Sequence, residues 1–219
     1  MRKEPLVRLI DDDPTVLAAQ STFLRMADLK VLTYSSASEF LEKDDFSHPG
    51  CLVLDVRMPS MTGLELQDEM IRQKIDLPII FLSAHGDIAM AVRAVQKGAK
   101  TFLVKPPNLE QLLEEIDSAI KLCFSIRDEK LLAQELQEEW NQLTEAEKKI
   151  AKLVAKGLSN QTIAEIQSVS EKTVRSQRAS VYTKLEVENA AELTNFLRDY
   201  ERLCSESVSY THLRAHETS

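Results

Sequence analysis

The sequence is poor in cysteine and lacks any long apolar run. Its three cysteines, Cys51, Cys123 and Cys204, are far apart and odd in number. A disulfide framework or a zinc site needs closely spaced sets, so we expect free thiols in a reducing compartment. A membrane-spanning helix needs about eighteen consecutive apolar residues, and none is predicted here. The opening residues, MRKEPLVRLIDDD, are too polar for a secretory signal, which predicts a cytoplasmic protein.

The chain has an acidic excess, with a net charge of −8, but the charge is unevenly spread. Residues 1–122 hold 14 basic and 19 acidic residues, and residues 123–142 hold 2 and 5. Residues 143–204 hold 10 basic and 9 acidic residues and are the only region with a positive balance. Only this last region is therefore a candidate for contact with a polyanion such as nucleic acid.

Short apolar runs alternate with helical patterns over residues 1–122. The runs that predict strands are Val7–Ile10, Lys30–Thr33, Cys51–Asp55, Ile79–Leu82 and Thr101–Val104. Signals for the intervening helices are Asp13-Pro14, Ser36-x-x-Glu39, Gly63–Lys74, Asp87, Gly98 and Asn108. Five β-α units in strict alternation predict an α/β doubly wound, five-stranded parallel sheet with strand order 2-1-3-4-5.

The segment from Leu109 to Leu143 contains neither glycine nor proline. A flexible linker normally carries such residues, so we expect one extended helix or two abutting helices. Residues 123–142 are the predicted helical linker. The apolar spacing permits a coiled-coil contact between two chains and equally permits packing of the helix on its own domain.

Four short helices are predicted over residues 143–204, and no strand. Their N-cap signals are Thr144-x-x-Glu147, Ser159, Ser170 and Asn189-x-x-Glu192. The tail at 205–219 is polar and aperiodic, and we expect it to be disordered or foreign to the natural gene. His212 and His216 are four residues apart but have no third metal ligand nearby.

Acidic, hydroxyl and ammonium groups follow the predicted strands. Asp11-Asp12-Asp13 comes after the first strand, Asp55 ends the third, Ser83 follows the fourth and Lys105 the fifth. In doubly wound folds these strand ends meet at one edge, where ligands bind. Carboxylates this close together require a compensating cation, and Mg²⁺ suits oxygen ligands and phosphate. Asp55 could then attack phosphorus as a nucleophile, with the metal and Lys105 offsetting the charge.

The strings LIDDDP, LDVRMPSMTGLEL, FLSAHGD and FLVKPP together resemble the receiver domain of response regulators over residues 1–122. The resemblance implies that Asp55 is the phosphoacceptor. It also implies that Asp12, Asp55 and the backbone carbonyl of Arg57 bind Mg²⁺ directly, while Asp11 acts through water. Asp13 is expected to cap a helix instead.

The same resemblance implies a switch around the phosphoryl group. Ser83 would be the hydroxyl that contacts it, and Lys105 the lysine that binds it. Phe102 would be the aromatic residue that turns inward when Ser83 moves. The Lys105-Pro106 peptide is expected to be cis. His85, beside Ser83, is expected to be an exposed loop residue.

Residues 143–204 resemble the LuxR-type helix-turn-helix domain of the NarL/FixJ regulators. The carrying residues are Leu143-Thr144, Gly157-Leu158-Ser159-Asn160, Ile163-Ala164, Ser170–Val174 and Lys184-Leu185. Ser168 stands where relatives often have glycine, which predicts a left-handed backbone there. The last helix is expected to expose Leu193, Phe196, Leu197 and Tyr200. The resemblance implies that it forms a dimer face, although core packing explains part of that set.

Helical periodicity divides the third of these helices into two faces. Val174, Val181 and Leu185 fall on an apolar face, opposite a basic-to-small stripe that can approach base edges in a major groove. Arg175 is the candidate for base reading, and Arg178 is expected to extend its stem along the core. The predicted DNA contacts are Lys172, Thr173, Arg175, Ser176, Arg178, Ala179 and Lys184.

These features predict a regulator that a sensor histidine kinase phosphorylates on Asp55, and that then dimerises and binds two half-sites of double-stranded DNA. One alternative is a constitutive DNA-binding regulator whose receiver needs no phosphorylation. An aspartate-dependent phosphatase is a second alternative. Such enzymes usually place an acid two residues after the nucleophile, where this sequence has Arg57, so we expect no enzyme. A protein-only adaptor would leave the Arg175 stripe unexplained.

Overall fold

The computed structural model describes residues 3–84 and 88–205. The chain divides into two compact units, with the boundary between Arg127 and Asp128. Strands and helices alternate in the first unit: β1 (Leu6–Ile10), α1 (Pro14–Met26), β2 (Val31–Tyr34), α2 (Ala37–Lys43), β3 (Gly50–Asp55), α3 (Gly63–Gln73), β4 (Ile79–Ser83), α4 (Ile88–Gln96) and β5 (Thr101–Val104). Only helices follow: α5 (Leu109–Asn141), α6 (Glu145–Ala155), α7 (Asn160–Gln167), α8 (Glu171–Lys184) and α9 (Ala190–Ser205).

The five strands form one parallel sheet in the order β2-β1-β3-β4-β5, which confirms the predicted fold. β3 is buried along its whole length, because helices cover both faces of the sheet. Its side chains alternate between two cores. Leu52 and Leu54 join the core that contains α3, whereas Cys51 and Val53 join the core that contains the start of α5.

Most predicted helix starts are confirmed by hydrogen bonds. Asp13 accepts from the backbone of Thr15 and Val16, so it is a cap. Thr144 and Glu147 form the predicted capping box. Ser36 caps α2, but the Glu39 carboxylate accepts from the Ser35 backbone, one residue before the expected partner. The remaining predicted caps that are confirmed are Asn108, Ser159, Ser170 and Asn189.

Helix α5 is one continuous helix of 33 residues that crosses the boundary between the units. Leu112 and Ile116 are buried in the first unit, and Leu136 and Trp140 are buried in the second. The apolar residues of these two stretches are therefore packed against other residues of the same chain. This arrangement favours packing on its own domains over the coiled-coil alternative.

The predicted exposure of the apolar face of α9 was wrong, and the core-packing alternative accounts for most of it. Its use as a dimer face stays a prediction. Leu193, Phe196 and Leu197 are buried in the core of the second unit, and Tyr200 is half-buried against it. The Trp140 ring lies 5.1 Å from that of Tyr200, centroid to centroid. The C-terminal half of α5 covers the face that had been expected to meet a second chain.

None of the three cysteines forms a disulfide. Two are fully buried, and Cys204 is half-buried, with its thiol donating to the Ala133 carbonyl over 3.3 Å. None of the helices within the described ranges combines the length and apolar content of a membrane crossing. Asp87, His85, His212, His216 and the tail beyond Ser205 lie outside the described residues.

Ser168 ends α7 with a left-handed backbone, at φ 54° and ψ 43°, which confirms the expected conformation. An L side chain in this region costs about 1 kcal/mol, whereas glycine adopts it without that penalty. The serine therefore leaves the turn between α7 and α8 strained.

We predict that Ser168→Gly raises the free energy of unfolding of the second unit by about 0.5–1 kcal/mol. Urea unfolding followed by Trp140 fluorescence measures this unit alone, because Trp140 is the only tryptophan and lies in its core. Ser168→Ala serves as the control and should bring no gain, since alanine keeps the Cβ. Equal gains in both variants would rule out backbone strain as the cause.

Candidate functional site

The carboxyl ends of three strands bring two acids and a lysine together. Asp11 follows β1, Asp55 ends β3 and Lys105 follows β5. The Lys105 Nζ atom lies 2.5 Å from an oxygen of Asp11 and 2.5 Å from an oxygen of Asp55. Asp12, next in the chain, is exposed at the same edge. The predicted convergence therefore exists, with Lys105 at its centre.

Burial and pairing set the electrostatics of this cluster. Asp55 is only 7% exposed, and this burial raises its pKa, against the opposing effect of the Lys105 ammonium. Burial lowers the pKa of Lys105, but its hydrogen bonds to Asp11 and Asp55 outweigh burial, so the net shift is upward. Lys105 therefore stays charged and helps to keep the Asp55 carboxylate ionised.

The second Asp55 oxygen is held by the loop that follows β3. The Arg57 backbone N–H donates to it over 2.7 Å, and the Gly63 N–H donates to the Val56 carbonyl over 3.0 Å. A Cβ on Gly63 would lie 2.3 Å from the Asp55 carbonyl oxygen, so only glycine fits. Sequence reasoning missed this role of Gly63. The signal available was a glycine at the start of a helix just after an acidic strand end.

The donor atoms at this edge fit a hard divalent cation. Asp11, Asp12, Asp55 and the Arg57 carbonyl offer only oxygen, which is the ligand type that Mg²⁺ prefers. Among residues 3–84 and 88–205, no three His, Cys, Asp or Glu side chains are spaced to hold a metal ion alone. In proteins Mg²⁺ commonly takes one or two carboxylates and completes its shell with water and phosphate oxygens.

The residues expected to form the switch lie beside the cluster. Ser83 is 2% exposed, and its carbonyl accepts from the Lys105 backbone N–H over 2.8 Å. Phe102 is half-buried on β5, with its ring centroid 6.4 Å from that of Phe81. The Lys105-Pro106 peptide is cis, as expected. Ser83 is thus joined to Lys105 through the backbone, whereas Phe102 lies against the apolar core. The expected movement of Ser83 and Phe102 stays a prediction.

In the second unit, α8 has the two faces that its periodicity predicts. Val174, Val181 and Leu185 are buried in the core. The opposite stripe is exposed at Lys172, Thr173, Arg175, Ser176 and Ala179. This stripe combines positive charge with small side chains, as contact with a DNA groove requires.

Four of the predicted DNA contacts have partners inside the unit. Thr173 hydrogen-bonds with the N-cap residue Ser170, and Arg175 forms an exposed ion pair with Glu171 over 2.6 Å, one turn earlier on α8. The Arg178 guanidinium stacks over the Tyr182 ring, 5.3 Å from its centroid, and donates to the Tyr182 hydroxyl and to the Asn160 Oδ1 atom. Lys184 forms an ion pair with Glu147 over 2.7 Å. The contacts to Asn160 and Glu147 join α8 to α7 and α6, whereas the contact to Tyr182 lies within α8. A role for any of these residues on DNA stays a prediction.

Glu147 ties the start of α6 to α8 and is only 6% exposed. Its carboxylate accepts from the backbone and hydroxyl of Thr144, from the Ser180 hydroxyl at 2.6 Å and from Lys184. Burial raises its pKa, but these hydrogen bonds outweigh burial and lower the pKa of Glu147 to about 2. The capping box was readable in the sequence, whereas the contacts to Ser180 and Lys184 were missed because they span more than thirty residues.

We predict that Glu147→Gln lowers the free energy of unfolding of the second unit by about 2 kcal/mol at pH 7. A carboxyl group with a lowered folded pKa stabilises above its unfolded value of about 4.3, and the effect fades as pH falls towards about 2. The difference from wild type should therefore shrink over that window, as followed by Trp140 fluorescence. Glu145→Gln, on an exposed side chain of the same helix, is the control. A difference that does not change with pH would contradict this account.

Comparison with known proteins covers both units. Residues 7–117 match the response regulator receiver domain family, and residues 141–197 match the bacterial regulatory proteins of the luxR family. The response regulator protein TodT of Pseudomonas putida is 39% identical over 188 residues, covering 86% of this chain and 83% of the relative. The transcriptional regulatory protein FixJ of Bradyrhizobium diazoefficiens is 33% identical over 187 residues, covering 85% and 91%.

Solved structures give the same result. The response regulator StyR matches with a TM-score of 0.80 and 37% identity, covering 90% of this chain and 100% of that one. Full-length FixJ from B. japonicum matches with a TM-score of 0.55 and 31% identity, covering 92% and 99%. The chain therefore belongs to the NarL/FixJ-type response regulators, which join a receiver domain to a LuxR-type DNA-binding domain.

Proposed function

We propose that a sensor histidine kinase phosphorylates Asp55 and that the phosphorylated chain dimerises and binds promoter half-sites to regulate transcription. The observation that carries this proposal is the buried Asp55 carboxylate paired with Lys105 and facing Asp11. The proposed domain boundaries are residues 1–122 for the receiver, 123–142 for the helical linker and 143–204 for the DNA-binding domain. A cytoplasmic location belongs to the same proposal.

The proposed transfer begins at an oxygen of the Asp55 carboxylate. This oxygen attacks the phosphorus of a phosphohistidine, the new O–P bond forms and the P–N bond breaks. The electron pair of the broken bond stays on the imidazole nitrogen, which takes a proton from solvent. The Lys105 ammonium offsets negative charge on the phosphoryl oxygens. A bound Mg²⁺, which receiver domains generally carry, would be held by Asp12, Asp55 and the Arg57 carbonyl, and would supply further charge neutralisation.

The proposed switch uses Ser83, whose carbonyl accepts from the Lys105 backbone N–H, and Phe102, three residues before Lys105. In this proposal the Ser83 hydroxyl donates to the new phosphoryl group, and Phe102 turns inward into the space beside it. Conversion of a mostly inactive population to a mostly active one requires several kcal/mol of preference for the active state. A charged phosphoryl group in a partly buried site can supply this by new charge-assisted hydrogen bonds.

The rival proposal is a constitutive DNA-binding regulator, in which the receiver acts without phosphorylation. It leaves unexplained why two buried carboxylates are retained around one lysine, since an apolar cluster of similar volume would be as stable. The two proposals differ in their dependence on Asp55.

We predict that incubation with acetyl phosphate and Mg²⁺ adds a single phosphoryl group to the wild-type chain, measured as intact mass. Asp55→Asn should show no adduct, because the amide is not a nucleophile towards phosphorus. Lys105→Met should accumulate less adduct in the same time, since the positive charge is lost. Omission of Mg²⁺ should also abolish the adduct. An adduct that persists in Asp55→Asn would mean that another residue is the acceptor.

We predict that Arg175→Ala weakens binding to a duplex selected from a random-sequence pool by about 1–3 kcal/mol, with a much smaller effect on unrelated DNA. Lys172→Ala should weaken both about equally and reduce the salt dependence by about one phosphate contact. Fluorescence anisotropy at several salt concentrations measures both effects. Arg198→Ala, an exposed arginine on α9, is the control. If Arg175→Ala weakened binding to both duplexes equally, Arg175 would contact phosphates and not bases.

A further inference from the structure

A second polar cluster lies in the first unit, away from the phosphoacceptor edge. It is built on residues 44–48, the loop between α2 and β3, which we call the α2–β3 loop. Arg8 of β1 pairs with Asp44 over 2.8 Å, and both side chains are fully buried. The Tyr34 hydroxyl donates to the other Asp44 oxygen over 2.6 Å. Arg8 also donates to the carbonyls of Asp45 and His48, so β1 holds this loop rigidly.

Helix α5 reaches the same loop through Arg127. Its guanidinium donates to three consecutive backbone carbonyls: Phe46 at 2.7 Å, Ser47 at 2.7 Å and His48 at 3.1 Å. The His48 carbonyl therefore accepts from two guanidinium groups, since Arg8 also lies 3.2 Å from it. A planar fork with several donors fits three carbonyls at once, which a lysine ammonium on its flexible stem does not reproduce.

The position of Arg127 along α5 gives this contact its meaning. Arg127 is the last residue of the first unit, and α5 continues without a break into the second. Cys123, one turn earlier, is fully buried in the first unit, whereas Leu131, one turn later, is 58% exposed. Arg127 therefore holds the helix where it passes from the packed surface of the first unit into solvent.

We propose that Arg127 is a positioning residue that fastens α5 to the α2–β3 loop and so couples the receiver to the helix that enters the DNA-binding unit. A helix transmits a displacement only if it is held on the structure that moves. β1 supplies the physical connection, because it carries Arg8 at one position and leads into Asp11 of the phosphoacceptor cluster three residues later. This inference rests on the proposed phosphorylation of Asp55.

The test compares wild type, Arg127→Ala and Arg127→Lys with Lys121→Ala, an exposed basic residue of the same helix. We call the three hydrogen bonds from Arg127 to the α2–β3 loop the latch. Amide hydrogen exchange over residues 44–48 and 124–131 reports whether these hydrogen bonds are broken. The second readout is the ratio of DNA affinities with and without acetyl phosphate and Mg²⁺. The phosphoryl adduct is measured on each preparation by intact mass, and Trp140 fluorescence shows that the second unit is folded.

In Arg127→Ala we expect faster exchange in both segments, an unchanged adduct and an affinity ratio that falls by about fivefold or more towards one. Arg127→Lys should recover only part of the ratio, because charge without the planar fork is insufficient, and Lys121→Ala should match wild type. A purely structural role would not change the ratio while leaving the adduct intact.

Two results would overturn the inference while leaving the proposed function in place. One is unchanged exchange in Arg127→Ala, which would show that the latch does not hold the helix. The other is faster exchange with a wild-type affinity ratio, which would show that the latch does not couple the units. A ratio of one in wild type itself, despite a normal adduct, would instead overturn phosphorylation-controlled DNA binding, and this inference with it.

Discussion

The structure of the first unit depends on the balance of charge around Lys105. Two buried carboxylates facing each other would cost several kcal/mol without a cation between them, because burial and like charge both oppose ionisation. Lys105 satisfies Asp11 and Asp55 only if β1, β3 and β5 end at the same edge. The strand order and the close approach of Gly63 both serve that geometry. A group that adds negative charge at Asp55 changes this balance and therefore acts on three strands together.

The second unit also contains a buried carboxylate paired with a lysine that is distant in the chain. Unlike the cluster at Asp55, this carboxylate has all its hydrogen-bond donors within the protein. Glu147 has Lys184, Ser180 and two groups of Thr144 as donors, so both of its oxygens are satisfied. Such a network fixes one arrangement of α6 and α8. The cluster at Asp55 includes an exposed neighbour, Asp12, and an oxygen set that suits a metal ion. The first cluster therefore fits the charge change that the proposed phosphorylation would bring, whereas the second fixes α8 against α6.

The sequence predicted what depends on local signals. The strand ends were predicted to within one residue, and the helix caps followed from Ser, Thr, Asp and Asn at fixed spacing, because these signals act within one turn. The sequence-based prediction failed where burial of an apolar face depends on a surface that is distant in the chain. The periodicity of α9 showed an apolar face correctly, but nothing local indicates that Trp140 covers it. The engagement of Lys184 by Glu147 was missed for the same reason.

The long helix α5 explains why a chain of two units needs no flexible linker. A helix without glycine or proline keeps its backbone hydrogen bonds over its whole length, which a flexible linker would not. One end is buried in the receiver through Leu112 and Ile116, and the other is part of the DNA-binding core through Leu136 and Trp140. The helix belongs to both hydrophobic cores at once. The Arg127 contacts lie on α5 between these two buried stretches, so the proposed coupling can be tested on the helix that both cores share.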